Sequence, residues 1–111
     1  MTLDLQIKQL TNDLRNSDKP LWIRMRQLLS EKEINPSDSV LAYYVKEEPF
    51  YDFGVIVADN SDVYQFAYDY LNKDDHQGIF AEWNNITDDI QRKPYREQIS
   101  LAFKIKAKNA G

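Results

Sequence analysis

The apolar positions of the chain change their spacing twice, from a helical period to an alternating one and back. Leu3, Ile7, Leu10 and Leu14 fall at i, i+4, i+7 and i+11, which is one stripe of an amphipathic helix, and Thr2 stands where an N-cap is needed. Asn16-Ser17-Asp18 breaks the stripe. Asp18-Lys19-Pro20 reads as a cap followed by an early-turn proline that opens a second helix. Its buried face is Leu21, Met25, Leu28 and Leu29, widened by Trp22 and Ile23, and its solvent side carries Arg24, Arg26, Glu31 and Lys32. Asn35-Pro36-Ser37-Asp38 closes this half as a turn, because proline holds the residue before it extended.

From Val40 onward the period becomes two. Val40 to Val45 is continuously apolar, which predicts a short strand that is central or covered on both faces. After Glu47-Glu48-Pro49, a second strand places Tyr51, Phe53, Val55 and Val57 on one face and Asp52, Gly54, Ile56 and Ala58 on the other. Asp59-Asn60-Ser61-Asp62 is a hairpin connection. The third strand alternates Tyr64, Phe66, Tyr68 and Tyr70 against Gln65, Ala67 and Asp69, and a fourth runs from Ile79 to Trp83. Thr87-Asp88-Asp89 starts a helical segment, with acids at the positive end of its dipole. Pro94 leaves two options there, a short turn before the proline or a main helix that begins at it. Tyr95, Ile99, Ala102 and Phe103 are the buried stripe of that last helix.

The pattern therefore predicts an α+β fold with two N-terminal helices, a four-stranded antiparallel meander sheet and a C-terminal helix, in a single domain over residues 1–111. It also predicts how the sheet is used. Tyr51, Phe53, Val55, Tyr64 and Phe66 form the face that holds the helices, and Asp52, Asp69 and Glu82 belong to the opposite, open face with the loops.

Composition agrees with a folded chain: 42% of the 111 residues are hydrophobic, 29% are charged, and only three are glycine. There is no cysteine, so disulfides and thiolate chemistry are excluded and a reducing, cytoplasmic setting is expected. The first residues hold no basic leader followed by an apolar run, and no window approaches the length of a membrane span, so neither export nor membrane insertion is expected.

Charge changes the picture more. Residues 1–45 balance six acids with six bases, residues 46–89 carry eleven acids against Lys46 and Lys73, and residues 90–111 carry Glu97 against six bases. The local balances are zero, minus nine and plus five, within a net charge of −4. Such polarity serves either an internal match of basic helix to acidic sheet or an acidic face offered to a basic partner.

Candidate chemistry is sparse. His76 is the one histidine, and it sits in the polar stretch Asp74-Asp75-His76-Gln77-Gly78, the composition of a solvated turn. One histidine and no cysteine exclude the usual structural zinc sites, leaving an all-oxygen site as the only metal option. Asp52, Asp69 and Glu82 would form such a site if the strands gathered them, giving a small metal-dependent hydrolase as an alternative. No glycine-rich phosphate loop or nucleophile elbow is present. Aromatics among carboxylates do not suit phosphate, so direct nucleic-acid binding by the sheet is not expected, and Arg92, Lys93, Arg96, Lys104, Lys106 and Lys108 of the last helix are the only residues that would favour it.

What remains is an acidic and aromatic surface of the type that binds protein. Tyrosine and tryptophan supply rigid area with a polar tip, and carboxylates steer a basic partner. The residues assigned to it are Asp52, Tyr68, Asp69, Tyr70, Asp74, Asp75, Glu82 and Trp83. The size, the charge and the runs Phe53-Gly54-Val55-Ile56-Val57, Val63-Tyr64-Gln65-Phe66 and Phe80-Ala81-Glu82-Trp83 resemble the small acidic immunity proteins of bacterial polymorphic and contact-dependent toxin systems. That resemblance implies a stoichiometric inhibitor that covers the active site of a basic, often nuclease, toxin, and it transfers no specific residues. Separately, a non-catalytic binding role with no cofactor, as a monomer or homodimer, is expected. A regulatory or structural subunit is the remaining alternative.

Overall fold

The computed structural model describes residues 2–46, 51–69 and 78–110. Helices α1 (Leu3–Asn16) and α2 (Pro20–Glu31) precede strands β1 (Val40–Lys46), β2 (Tyr51–Val57), β3 (Val63–Asp69) and β4 (Ile79–Asn85). A short helix α3 (Asp89–Arg92), a 3-10 turn over Lys93–Tyr95 and the long helix α4 (Arg96–Ala110) complete the chain. The strands form one antiparallel sheet in the order β1-β2-β3-β4, the predicted meander.

The helix ends follow their local chemistry. Thr2 Oγ1 accepts the Leu5 N–H at 3.3 Å, as an N-cap should. The second helix differs from expectation: its N-cap is Lys19, with Pro20 at the first helical position and no side-chain cap from Asp18. Ile23, expected on the buried face, is 39% exposed. Both options around Pro94 are realised in succession, since α3 precedes the proline and α4 follows it. Asp88 caps α3 in a reciprocal box with Gln91, which satisfies two of the N–H groups that a helix start leaves open.

The sheet carries helices on both faces, and here the strand-by-strand reading needs correction. In the β2–β3 register Gly54 lies opposite Phe66, Ile56 opposite Tyr64, and Phe53 opposite Ala67. Cross-strand partners share a face, so Tyr64, Phe66 and Tyr68 lie with Asp52, Gly54 and Ile56, and not with Tyr51, Phe53 and Val55. The first face packs Leu41, Ile56, Phe66 and Tyr68 against Leu14 of α1 and Trp22, Met25, Leu28 and Leu29 of α2. The second packs Val40, Ala42, Val55, Val57 and Val63 against Ile7 of α1 and Ile99, Ala102 and Ile105 of α4. Each large core side chain contributes roughly 1.5–3 kcal/mol by leaving water.

Helix α1 contributes to both faces because it runs along the outer edge of β1. Thr11 Oγ1 accepts the Leu41 N–H at 3.0 Å, and Arg15 Nη2 donates to the Ser39 carbonyl at 2.7 Å. Thr11 thus satisfies a backbone group that a terminal strand otherwise leaves unpaired, and Arg15 one at the residue that leads into it. The continuous apolar run of β1 is thus explained by cover on both faces, although the strand is terminal and not central. Cover fails at the other end of the sheet. Along β4 only Phe80 and Trp83 are even half-buried, and the other five residues are exposed.

Candidate functional site

The exposed side of the sheet is built by cross-strand rows. On the α4 face, Tyr51 of β2, Asp69 of β3 and Ile79 of β4 stand in register, followed by the row Phe53, Ala67 and Glu82. Rows on one face are about 7 Å apart, the length of two strand residues. Tyr95 marks where helical cover begins: its ring lies 5.1 Å from that of Tyr43, and its hydroxyl accepts from Gln65 Nε2 at 3.2 Å, on the third row. Beyond it Tyr51 is 36% and Ile79 37% exposed, Phe53 and Asp69 are half-buried, and Glu82 is exposed. Apolar side chains and carboxylates therefore share one open surface. Residues 67 to 69 and 79 to 82 do not pair evenly, because Ala81 has no partner between Ala67↔Glu82 and Tyr68↔Phe80, and this irregularity bends the edge.

Of the residues assigned to the site from the sequence, Asp69 and Glu82 lie on this surface. Trp83 lies on the other face of β4, opposite Phe66, where it is half-buried. Its ring stacks on Tyr64 with centroids 4.8 Å apart and planes 21° from parallel, and it lies 4.8 Å from Phe80. Lys32 Nζ sits 5.5 Å from its centroid, a cation–π distance. Tyr70, Asp74 and Asp75, together with His76, lie outside the described residues.

Asp52 and Tyr68 are not surface residues: they are 1% and 2% exposed. The register pairs Asp52 with Tyr68 and so turns Asp52 onto the face of Tyr64 and Phe66, which α2 covers; Tyr68 belongs to that face by its own alternation. There Tyr44 donates its hydroxyl to Asp52 Oδ2, and Trp22 packs 5.2 Å from the Tyr44 ring. Asp52 Oδ1 accepts no hydrogen bond from the described residues. Tyr68 lies over Gly78, whose carbonyl accepts from Arg24 Nε at 2.9 Å, so α2 is tied to the start of β4.

Burial holds the Tyr68 hydroxyl above its ordinary value of 10.0, against the opposing effects of the Arg24 charge and hydrogen bonding to the Gly78 backbone. The unfolded chain ionises this phenol first as pH rises, so the raised value stabilises the fold fully below about pH 10 and less above it. Stability measured by urea unfolding should therefore fall above about pH 10, and Tyr68→Phe should flatten that fall. An unchanged slope in the variant would assign the alkaline loss to other groups.

The register also separates the three carboxylates considered for a metal. Asp52 is buried on the α2 face, while Asp69 and Glu82 occupy the α4 face as diagonal neighbours. Among the described residues no cluster of three or more metal-ligating side chains is formed. The bases of the last helix gather elsewhere: Arg96 and Lys104 line an open groove of about 500 Å³ with Leu3, Glu97, Ser100 and Leu101. Among the described residues no helix is long and apolar enough to cross a membrane. Compared with family models, curated proteins and solved structures, the chain shows no match.

The sequence reading missed Tyr51, Phe53 and Ile79. It placed Tyr51 and Phe53 in the core because they alternate with polar Asp52 and small Gly54. The counter-signal was the partner strand, since Gly54 leaves room that only the ring of Phe66 fills.

Proposed function

We propose that this chain is a non-catalytic protein-binding module, an immunity-type inhibitor that neutralises a basic toxin or nuclease domain through the open side of its sheet. The observation that carries the reading is the surface where exposed Tyr51 and Ile79 flank Asp69 in one row, with Glu82 in the next. Apolar anchors rimmed by carboxylates suit a partner whose cationic side chains surround an apolar patch. Asp69 and Glu82 belong to a segment, residues 46–89, whose balance is minus nine, and charge of that sign steers a cationic partner. The residues assigned are Tyr51, Phe53, Asp69, Ile79 and Glu82, and the acidic stretch with Asp74 and Asp75 belongs to the same reading by its charge.

Co-purification from the native host tests it, comparing the wild type with the double reversal Asp69→Lys/Glu82→Lys. A basic protein should bind the wild type, associate more slowly as salt rises from about 50 to 500 mM, and lose about tenfold or more in affinity for the variant. The bound partner's own activity should be blocked at a one-to-one ratio. A partner indifferent to both salt and the reversal, or one that stays active when bound, sinks the proposal.

A further inference from the structure

Glu82 and Trp83 are adjacent in β4 and point to opposite faces of the sheet, one toward solvent on the α4 face and one over Phe66 and Tyr64. A partner resting on either face reaches one of them. A partner that runs along the β4 edge reaches both, because a strand sends alternate side chains to the two faces. We propose that the outer edge of β4 is a strand-docking site for an extended segment of a basic partner, with a lysine or arginine opposite Glu82 and apolar residues beside Phe80 and Trp83.

The two edges of the sheet differ in the way this requires. The β1 edge is occupied by α1, with Thr11 bonded to the Leu41 N–H and Arg15 to the Ser39 carbonyl just before the strand. Among the described residues no element pairs with the outer edge of β4, whose seven residues form the last strand of the sheet. Arg24 holds the Gly78 carbonyl, so the open ladder starts at Ile79. Its free donors can be named. The Ile86 N–H bonds inward to the Val63 carbonyl at 2.9 Å, and backbone groups alternate sides along a strand, so Asn84 also points inward while Trp83 and Asn85 point outward. An added strand would take those two N–H groups and gain main-chain bonds as well as side-chain contacts.

Charge decides the occupant. A second copy pairing antiparallel along the full length of β4 would set Glu82 directly opposite Glu82, and like charges so placed oppose pairing. A cationic segment removes that repulsion and meets the acidic balance of residues 46–89.

The inference rests on the binding-module reading but has its own test. The probe is a seven-residue peptide of alternating lysine and valine, with the glutamate and valine peptide as control, followed by amide hydrogen exchange. With the lysine peptide at about millimolar concentration, the amides of Trp83 and Asn85 should exchange at least several-fold more slowly, and with the control they should not. Asn85→Pro, which places a ring on the outward side without removing an inward bond, and the exposed Glu82→Lys should each abolish that protection while the far-ultraviolet circular dichroism stays unchanged. Equal response to both peptides, or shifts confined to Tyr51, Phe53 and Ile79 without amide protection, overturns strand docking. So does protein dimerisation that protects the same amides without peptide. If partner capture depends on Asp69 and Glu82 yet survives Asn85→Pro, the strand inference fails and the binding-module reading stands. If the lysine peptide pairs but no partner responds to charge reversal, the reverse holds.

Discussion

Gly54→Ala is expected to lower the unfolding free energy by about 3 kcal/mol, at the upper end of what overpacking a core costs. An added Cβ would lie 2.3 Å from Phe66 Cζ and under 3 Å from both neighbouring ring carbons. The ring cannot swing aside freely. Phe66 is 1% exposed and packs among Tyr44, Phe80 and Trp83 at centroid distances of 6.4, 5.1 and 6.0 Å. Urea midpoints for the single variant and for Gly54→Ala in a Phe66→Leu background provide the measurement. The alanine should cost about 1 kcal/mol less where the ring is gone, since the two positions share one space. A single-variant loss below about 0.5 kcal/mol would mean that the ring moves aside after all.

Tyr44→Phe should destabilise by a similar amount, about 3 kcal/mol, for an electrostatic reason. It removes one oxygen and leaves the Asp52 carboxylate, 1% exposed, without the hydroxyl that donates to its Oδ2. Among the described residues its Oδ1 accepts no hydrogen bond, so none of them absorbs the loss. Breaking a buried polar pair from one side is the costly case, whereas replacing both members with apolar groups is often nearly neutral. The double variant Tyr44→Phe/Asp52→Leu should thus recover most of the stability, and denaturant unfolding of the four members of the cycle measures it. If the double variant is as unstable as the sum of the singles, packing around Tyr44 and not its bond to Asp52 is the source.

These two sites also explain what the sequence could and could not say. Helix α1 was legible because Leu3, Ile7, Leu10 and Leu14 repeat at a period that only a helix satisfies, and the four strands were legible from alternation bounded by turns. The meander followed from short connections. The pairing of faces was not legible. Each strand states its own alternation, but which set of one strand joins which set of the next depends on register, and a shift of one residue exchanges them all. Across β2 and β3, Asp52 and Gly54 look like surface positions until Tyr44 and Phe66 are seen to need the space beside them. The same slip sent Tyr51 and Phe53 to the core and Asp52 to the surface, whereas Tyr68 is buried with Phe66 on the face that its own alternation already marked as covered. Asp69 and Glu82 lie beyond the stretch of the sheet that α4 covers, and Trp83 lies on the face opposite its neighbour.

The asymmetry of the sheet limits how far strands can stack from one molecule to the next. Open-ended stacking of strands needs two available edges on every molecule, one to receive and one to offer. Here α1 closes one of them with hydroxyl and guanidinium groups drawn from its own buried side. The proposed docking along β4 would therefore end after a single addition, because the described residues offer no second open strand edge to pass a stack onward.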